Sequence, residues 1–380
     1  MQCFLVGGAV RDRLLGLPVK DRDFVVVGAT PEEMLVQGFV PVGRDFPVFL
    51  HPQTHEEYAL ARTERKTAPG YKGFAFHAQK DVTLEQDLAR RDLTINAMAE
   101  TEDGRLFDPF NGQFDLRQRL LRHVSPAFQE DPVRILRAAR FCARFTEFSI
   151  APATVQLMRM MVDGGEVDAL VPERVWQEFS RGLMEIQPSR MLEALQTCGA
   201  LARLLPVLAQ HLAESGGRML RRLDAAAYAG AALPIRLAVL LAPIATTSVD
   251  ITAIEVACAG LKIPGDCRDL AIMTARERNV VQGGSVSAQQ AMALMERCDA
   301  LRKPARFHQM LDACAFLDEV DPMASSLLIA WRCALEAALT VNAGPIATQI
   351  QQEYPGQPMR INAAIRSARV AAITSINGAT

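Results

Sequence analysis

Apolar and polar positions alternate in distinct blocks along the chain. Phe4-Leu5-Val6 reads as a short buried strand, Gly7-Gly8 as a tight turn, and Ala9 to Leu15 as a short helix that Gly16 is placed to stop. Asp21-Arg22-Asp23 then leads into Phe24-Val25-Val26-Val27, strand-like by its β-branched content. The pattern predicts strands at 4–6, 24–28, 48–50, 58–63 and 105–108, with helices at 9–15, 31–37 and 84–99. From about residue 115 the character changes. Apolar positions recur at helical spacing in 131–145, 152–163, 172–186 and 189–205, and strand signals nearly vanish. Breaks near Pro206, Gly216-Gly217, Pro234, Pro264-Gly265, Gly283-Gly284, Pro304 and Pro322 divide a further Ala-, Leu- and Met-rich stretch. The segment from about Asn342 reads as a loosely held end with one last helix at 360–373. The expected fold is an α/β N-terminal head, a small mixed sheet with helices, followed by an all-α remainder.

Length and composition narrow the class. The 380 residues allow about two to four compact units at ~100–200 residues per domain. With 49% hydrophobic and 22% charged residues, the chain reads as a soluble globular protein with a substantial core. No apolar run approaches the ~20 residues a membrane helix needs. The start, MQCFLVGG, lacks a basic region and a long apolar segment, so no secretion signal is expected. The eight cysteines are scattered and form no C-x-x-C pair, which is the usage of a reducing, cytoplasmic compartment. The net charge of −2 announces no nucleic-acid binder, but its distribution says more. Seven arginines lie between Arg117 and Arg144 against only Glu130 and Asp131. Such a local patch suits an anionic partner, phosphate or RNA backbone. A second basic stretch, Arg62 to Lys80, reads more simply as a solvated surface.

Alternation on a strand points Asp21 and Asp23 the same way. Two carboxylates on one face repel unless a cation sits between them, and a divalent metal is the obvious candidate. Taken alone, D-x-D is a weak signal that reads first as an ordinary turn ahead of a strand, whereas G-G-x-V-R-D followed within about ten residues by D-x-D is far more specific. The Gly-Gly turn is neither a P-loop, since no G-K-[ST] follows, nor G-x-G-x-x-G. An EF-hand fails because Val25 and Val26 occupy positions that need an oxygen ligand and a glycine. What remains is a metal-binding carboxylate pair facing a glycine turn and Arg11, groups suited to phosphate. That combination is what nucleotidyl transfer needs: hard Mg²⁺ prefers one or two carboxylates plus substrate phosphates.

A second constellation starts at Glu130 in EDPVRILRAARFCARF. Asp131, Arg134, Arg137 and Arg140 are spaced by three, along one side of a helix. Pro132 suits the first turn, with Asp131 near the N-cap, so a capped amphipathic helix with solvated arginines is one reading. The other takes Asp131 and Arg134 as a base-reading edge of one acceptor and a fork of donors. Cytosine and adenine both set an amino donor beside a ring-nitrogen acceptor, whereas guanine and uracil reverse the pattern. Such an edge would accept C and A and reject G and U with no nucleic-acid template, leaving Arg137 and Arg140 for the triphosphate.

Five ordered motifs carry a resemblance over at least residues 1–200: GGAVRD with KDRD, RRDLTINAMA at 90–99, DPFNGQFDL at 108–116, EDPVRILRAARF at 130–141 and PERVWQEF at 172–179. The chain resembles the bacterial class II tRNA nucleotidyltransferases, the CCA-adding enzymes of the polymerase-β-like nucleotidyltransferase superfamily. The resemblance implies that Asp21 and Asp23 bind Mg²⁺ and are catalytic. It implies that Gly8, Arg11, Arg91, Arg137 and Arg140 contact the incoming ATP or CTP, and that Asp131 and Arg134 form the protein template. Glu57 is a candidate third carboxylate. It implies a nucleotidyltransferase head over 1–115, a helical neck with the nucleotide-selecting helix over 116–205, and a helical body and tail over 206–380 that binds tRNA. Some relatives carry a His/Asp phosphohydrolase domain in the C-terminal half. After residue 200 this chain has only His211 and His308, neither followed by Asp, and RLAVLLAPIA at 236–245 is apolar. The phosphohydrolase is therefore expected to be absent.

The expected activity is template-independent addition of C, C and A to tRNA 3′ ends from CTP and ATP, with release of pyrophosphate. Alternatives are a bacterial poly(A) polymerase of the same superfamily, an enzyme adding only CC or only A, and a non-catalytic tRNA-binding protein with a decayed head. Both aspartates and the arginine ladder argue against the last. The intact segment between Arg62 and Arg91, which includes a flexible loop in relatives, leans toward full CCA addition.

Overall fold

The computed structural model describes residues 1–380 except 43–47, 67–73, 78, 216, 246–247, 284–285, 318–325 and 378–380. The chain divides into two compact units, Met1–Pro206 and Val207–Thr380.

The first unit opens with β1 (Gln2–Val6), α1 (Gly8–Leu14), β2 (Asp23–Val27), α2 (Pro31–Val36), β3 (Val40–Val42), β4 (Val48–Leu50) and β5 (Glu57–Leu60). A hairpin of β6 (Thr63–Lys66) and β7 (Phe74–His77), then α3 (Leu84–Ala89), β8 (Ala99–Glu100) and β9 (Leu106–Phe107), complete the head. Seven strands form one mixed sheet in the order β3-β4-β5-β2-β1-β8-β9. Only β2 and β5 run parallel.

The near-continuous apolar run of β2 follows from its place inside this sheet. Val25 packs on one face with Phe4, Val6, Ala61, Leu88 and Ala99, while Val26 packs on the other with Met34, Phe39, Phe49 and Leu60. Thr30 caps α2 in a reciprocal box with Glu33, followed by Pro31, and Thr83 does the same for α3 with Gln86.

The helical part follows: α4 (Gly112–Gln118), β10 (Leu120–Leu121), α5 (Val133–Arg144), β11 (Ser149–Ile150), α6 (Pro152–Asp163), α7 (Pro172–Leu183), α8 (Ser189–Thr197) and α9 (Ala200–Leu204). Gly112 lies so close under the turn at Thr94 that a Cβ there would stand 2.4 Å from the Thr94 carbonyl oxygen.

The second unit holds α10 (Pro206–Glu214), α11 (Arg218–Tyr228), α12 (Leu233–Leu241), α13 (Ser248–Gly260), α14 (Gly265–Gln282), α15 (Ala288–Arg297), α16 (Pro304–Leu317), α17 (Ser326–Leu339), α18 (Ala343–Glu353) and α19 (Pro358–Asn377). Its core gathers fully buried side chains from α12, α14 and α16, among them Leu237, Leu240, Leu270, Phe307 and Leu311. No single helix among the described residues is long and apolar enough to cross a membrane.

Several sequence expectations need correction. The helix over 84–99 ends at Ala89. Asp92 accepts the Leu93 N–H at 2.8 Å, Leu93 bridges His123, and the Thr94 hydroxyl donates to Asp115, which draws the segment out of helical register. The helix over 189–205 breaks into two at Gly199, which holds φ +84°. The strand over 58–63 is two elements, and β3 escaped notice because Pro41 reads as a breaker, although a sheet-edge strand tolerates it. Strands persist past 115 as the small parallel pair of β10 and β11. The C-terminal end is not loosely held: α19 packs on α15, α17 and α18, with Ile373 fully buried.

Candidate active site

The glycine turn sets the floor of the site. Gly7 takes φ +70°, and a Cβ there would come within 2.9 Å of Arg91 Nη1, so only glycine lets Arg91 lie across the turn. α1 starts at Gly8, whose position would bring a Cβ to 3.4 Å from Arg11 Nη2. Antiparallel pairing sets Asp23, the first residue of β2, opposite Val6, the last of β1. The carboxylate therefore stands beside the turn. Glu57 is the register neighbour of Asp23 on parallel β5, at an exposed position.

A cleft of about 660 Å³ in the first unit collects these groups. Nine of the ten residues singled out from the sequence line it, namely Gly8, Arg11, Asp21, Asp23, Arg91, Asp131, Arg134, Arg137 and Arg140, and Glu57 is not among its lining residues. Arginine and lysine side chains outnumber carboxylates there by ten to five, a balance suited to a triphosphate.

Much of the cationic wall is held by one hydrogen-bonded chain. Arg144 Nη2 donates to Asp12 Oδ2 at 2.8 Å, and Asp12 Oδ1 accepts from Arg11 Nε at 2.8 Å. Arg11 Nη1 donates to Asn96 Oδ1 at 2.6 Å, and Asn96 Nδ2 donates to Asp92 Oδ1 at 3.0 Å. Asp92 Oδ2 accepts from Arg137 Nε at 2.8 Å. Arg11 is only 3% exposed and lies over the rings of Phe141 and Phe145, so burial lowers its pKa. Burial alone would raise the Asp92 carboxyl. The Arg137 charge and the bonds from Asn96, Arg137 and the Leu93 N–H outweigh it, holding Asp92 well below the usual carboxylate range.

Arg91 is placed differently. Its Nη2 donates to buried Asp87 at 3.3 Å, but its buried Nε has no hydrogen-bond partner among the described residues. A buried donor left open in a cationic cleft is suited to an anion. Arg140 is bound by Glu178 at 2.7 Å and Glu185 at 3.4 Å. Arg134 donates to the Ala127 carbonyl at 2.8 Å. Asp131 accepts the Val133 N–H at 3.2 Å from the position before the N-cap, Pro132, and it also pairs with Arg174 from α7.

The sequence reading gave no role to Asp12, Asp92, Asn96, Arg144 or Arg174. All five lie inside quoted stretches, Asp12 in GGAVRD, Asp92 and Asn96 in RRDLTINAMA, Arg144 in EDPVRILRAARFCARF and Arg174 in PERVWQEF.

Asp21 and Asp23 suit a hard divalent cation. Both open onto the cleft and present oxygen donors only. Burial pushes the Asp23 carboxyl up, Arg91 opposes this and Asp21 adds to it. A cation shared with substrate phosphates would relieve that strain. The segment between Arg62 and Arg91 includes residues 67–73 and 78, which lie outside the described residues.

Residues 3–122 match the poly A polymerase head domain family, and residues 147–212 match a family described as a probable RNA and SrmB-binding site of polymerase A. The chain is 54% identical to the multifunctional CCA protein of Janthinobacterium sp. (strain Marseille), covering 99% of this chain and 97% of that protein. The chain belongs to the CCA-adding tRNA nucleotidyltransferases. The corresponding protein of Herminiimonas arsenicoxydans is 53% identical, over 98% of this chain and 97% of its own length. Among solved structures, the Bacillus stearothermophilus CCA-adding enzyme in complex with CTP matches with a TM-score of 0.69 at 23% identity. That match covers 98% of this chain and 89% of the other, and it extends the CCA-adding fold through both units.

The apolar stretch 236–245 falls on a core helix, α12, in this CCA-adding family member. Leu237 to Leu240 of α12 are fully buried, and Arg236 spends its guanidinium on the Ala227 and Ala231 carbonyls. Among the described residues no three of His, Cys, Asp or Glu are grouped to hold a metal.

Proposed function

We propose that this chain adds C, C and A to the 3′ end of tRNA from CTP and ATP, with Asp21 and Asp23 as the catalytic carboxylates. The observation that carries this reading is the convergence of that carboxylate pair, the open Arg91 donor and the Asp131–Arg134 edge on one cleft. Asp21 and Asp23 would hold Mg²⁺, which would lower the pKa of the attacking hydroxyl and neutralise charge on the phosphates. Arg91, lying over Gly7, fills its open Nε–H with a phosphate oxygen. Gly8 leaves room for the triphosphate beside Arg11, while Arg137 and Arg140 hold the cationic wall against it. Asp131 accepts the amino group of cytosine or adenine and Arg134 donates to the neighbouring ring nitrogen. The tRNA 3′-oxygen then bonds to the α-phosphorus, the bond to the bridging oxygen breaks, and pyrophosphate leaves. Glu57, on the same sheet face as Asp23, is the candidate third carboxylate.

In this reading residues 1–115 are the catalytic head, 116–205 the neck carrying the base-reading helix, and 206–380 the body and tail that take tRNA. Eight free cysteines support a reducing compartment, the cytoplasm. The poly A polymerase head match keeps one rival in view, an enzyme making ATP-only tails. Supplying tRNA that lacks its last three nucleotides with each nucleoside triphosphate, alone and combined, and sequencing the ends separates the two. CTP with ATP gives CCA and CTP alone gives CC. Long adenylate tails from ATP alone would favour the rival.

A further inference from the structure

Asp87 lies on α3, one helical turn before Arg91, and has no part in the chemistry above. It is fully buried, a costly place for a carboxylate unless its oxygens are paired. The two oxygens are paired differently. Oδ1 accepts the Arg62 N–H at 3.2 Å and Arg90 Nη2 at 2.6 Å. Arg90 Nε also reaches Oδ1 at 3.1 Å and donates to the Arg62 carbonyl at 3.0 Å. These bonds fasten the end of α3 to the junction between β5 and β6. Oδ2 accepts from Arg91 Nη2 at 3.3 Å. Burial alone would raise the Asp87 carboxyl. The charges of Arg91 and Arg90 and the bonds from Arg90 and Arg62 outweigh it, so the group stays ionised.

Arg91 has a place for each nitrogen of its guanidinium. Nη2 is on Asp87 and Nη1 lies over Gly7, where a Cβ would stand 2.9 Å away. Nε is buried with no hydrogen-bond partner among the described residues. A planar guanidinium held at two of its nitrogens has its third one aimed. The Arg91 charge also acts on Asp23, opposing the rise that burial causes there, so the open donor sits beside the proposed metal pair. A purely structural ion pair accounts for Oδ1. It gives no reason for Oδ2 to hold an arginine whose Nε is left open.

We infer that Asp87 is a positioning residue for the incoming nucleotide: it fixes the plane of Arg91 so that the Nε–H meets a phosphate oxygen, while Arg90 and the Arg62 backbone hold the carboxylate still. This role rests on Arg91 holding a phosphate during CCA addition. Asp87 itself touches no substrate, and through Arg91 it acts on the phosphates and not on the base.

The test measures kcat and KM for CTP and UTP on tRNA lacking CCA, together with melting temperature. It uses the full chain carrying Asp87→Asn, Arg91→Ala, both changes, Arg91→Lys or Thr83→Ala. Asp87→Asn keeps the size and an oxygen for the Arg62 N–H but loses the charge. It should raise KM for CTP and UTP alike by about tenfold, with kcat nearly unchanged. In the Arg91→Ala background the same change should raise KM no further, because the group it positions is gone. Arg91→Lys keeps the charge but loses the plane, so its KM should match that of Arg91→Ala. Thr83→Ala removes the cap of the same helix and should lower the melting temperature with KM as in the parent. Parental KM in folded Asp87→Asn overturns the role. So do effects of Asp87→Asn and Arg91→Ala that multiply in the double variant, or a Thr83→Ala that raises KM as Asp87→Asn does. If Asp87→Asn does not fold, Arg91→Lys decides: KM as in Arg91→Ala supports a guanidinium held in plane, and parental KM overturns it. A parent that adds no CCA removes the reading of Arg91 itself, whereas normal CCA addition by the parent with any of these contrary results removes only the role of Asp87.

Discussion

Arg174 grips Asp131 with two parallel hydrogen bonds, Nη1 to Oδ1 at 3.3 Å and Nη2 to Oδ2 at 2.9 Å. The carboxylate proposed to read the base is therefore oriented from a second helix, α7, as well as by the Val133 N–H at the start of α5. Bidentate pairing fixes a plane as well as a position. Arg174→Ala should lower discrimination of CTP over UTP by roughly tenfold, the worth of about 1.4 kcal/mol of orientation. Arg174→Lys, which keeps the charge but loses the fork, should recover little. Steady-state kinetics with both nucleotides checks this, and full discrimination in Arg174→Lys would reduce the residue to a point charge.

Asp21→Ala and Asp23→Ala should abolish nucleotide incorporation without unfolding the head. Asp23 is pushed up by burial and then by Asp21, so removing either carboxylate relieves repulsion in the metal-free protein. Melting temperatures without divalent cations should be unchanged or higher. Normal CMP incorporation by either variant in Mg²⁺ would contradict the assignment.

Asp92→Asn should cost about 1–3 kcal/mol, because it removes the charge that holds part-exposed Arg137 and weakens the chain that reaches Arg11. The sign with pH is definite. The folded Asp92 carboxyl sits below its unfolded value of about 4, so its contribution is fully present above that pH. It fades as pH falls through the folded value. Urea unfolding across pH should show a constant gap between parent and variant from about pH 5 to 8, narrowing below about pH 4. A gap that stays constant to the lowest pH would show that charge is not what holds the pair.

Much of this was legible in the sequence because each signal was local. Gly7-Gly8, the strand that starts at Asp23, and the three-residue spacing from Asp131 to Arg140 can be read within a dozen residues, and the cleft contains all of them. What escaped depends on distant partners. Nothing near Asp92 says that Arg137 will arrive from 45 positions away, or that Glu178 will occupy Arg140 from 38 positions away. Helical periodicity ran through 84–99 because Asp92 and Thr94 break the helix only once Arg137 and Asp115 are in place. The C-terminal prolines suggested looseness because the burial of Ile373 is a tertiary property.

The relatives are called multifunctional. With α12 packed into the core, this chain should release no phosphate from 2′,3′-cyclic or 2′-phosphorylated nucleotides, with Ni²⁺ or Mn²⁺ supplied. Metal-dependent release that survives purification from contaminating phosphatases would reveal a second site.

The central claim is that protein side chains, Asp131 and Arg134, choose the base. The measurement is kcat/KM for CTP and for UTP on tRNA lacking CCA, in the parent, Asp131→Ala and Arg134→Ala. The two pyrimidines share a size and differ mainly in donor–acceptor pattern. Each lost or mismatched contact is worth about 1–3 kcal/mol, roughly one to two decades in relative rate. The account expects both variants to lose discrimination to that extent, while Arg137→Ala slows CTP and UTP alike and leaves their ratio intact. If Asp131 only caps α5, its loss costs about 1 kcal/mol of stability. An unchanged CTP/UTP ratio in both variants, with activity retained, would contradict the claim.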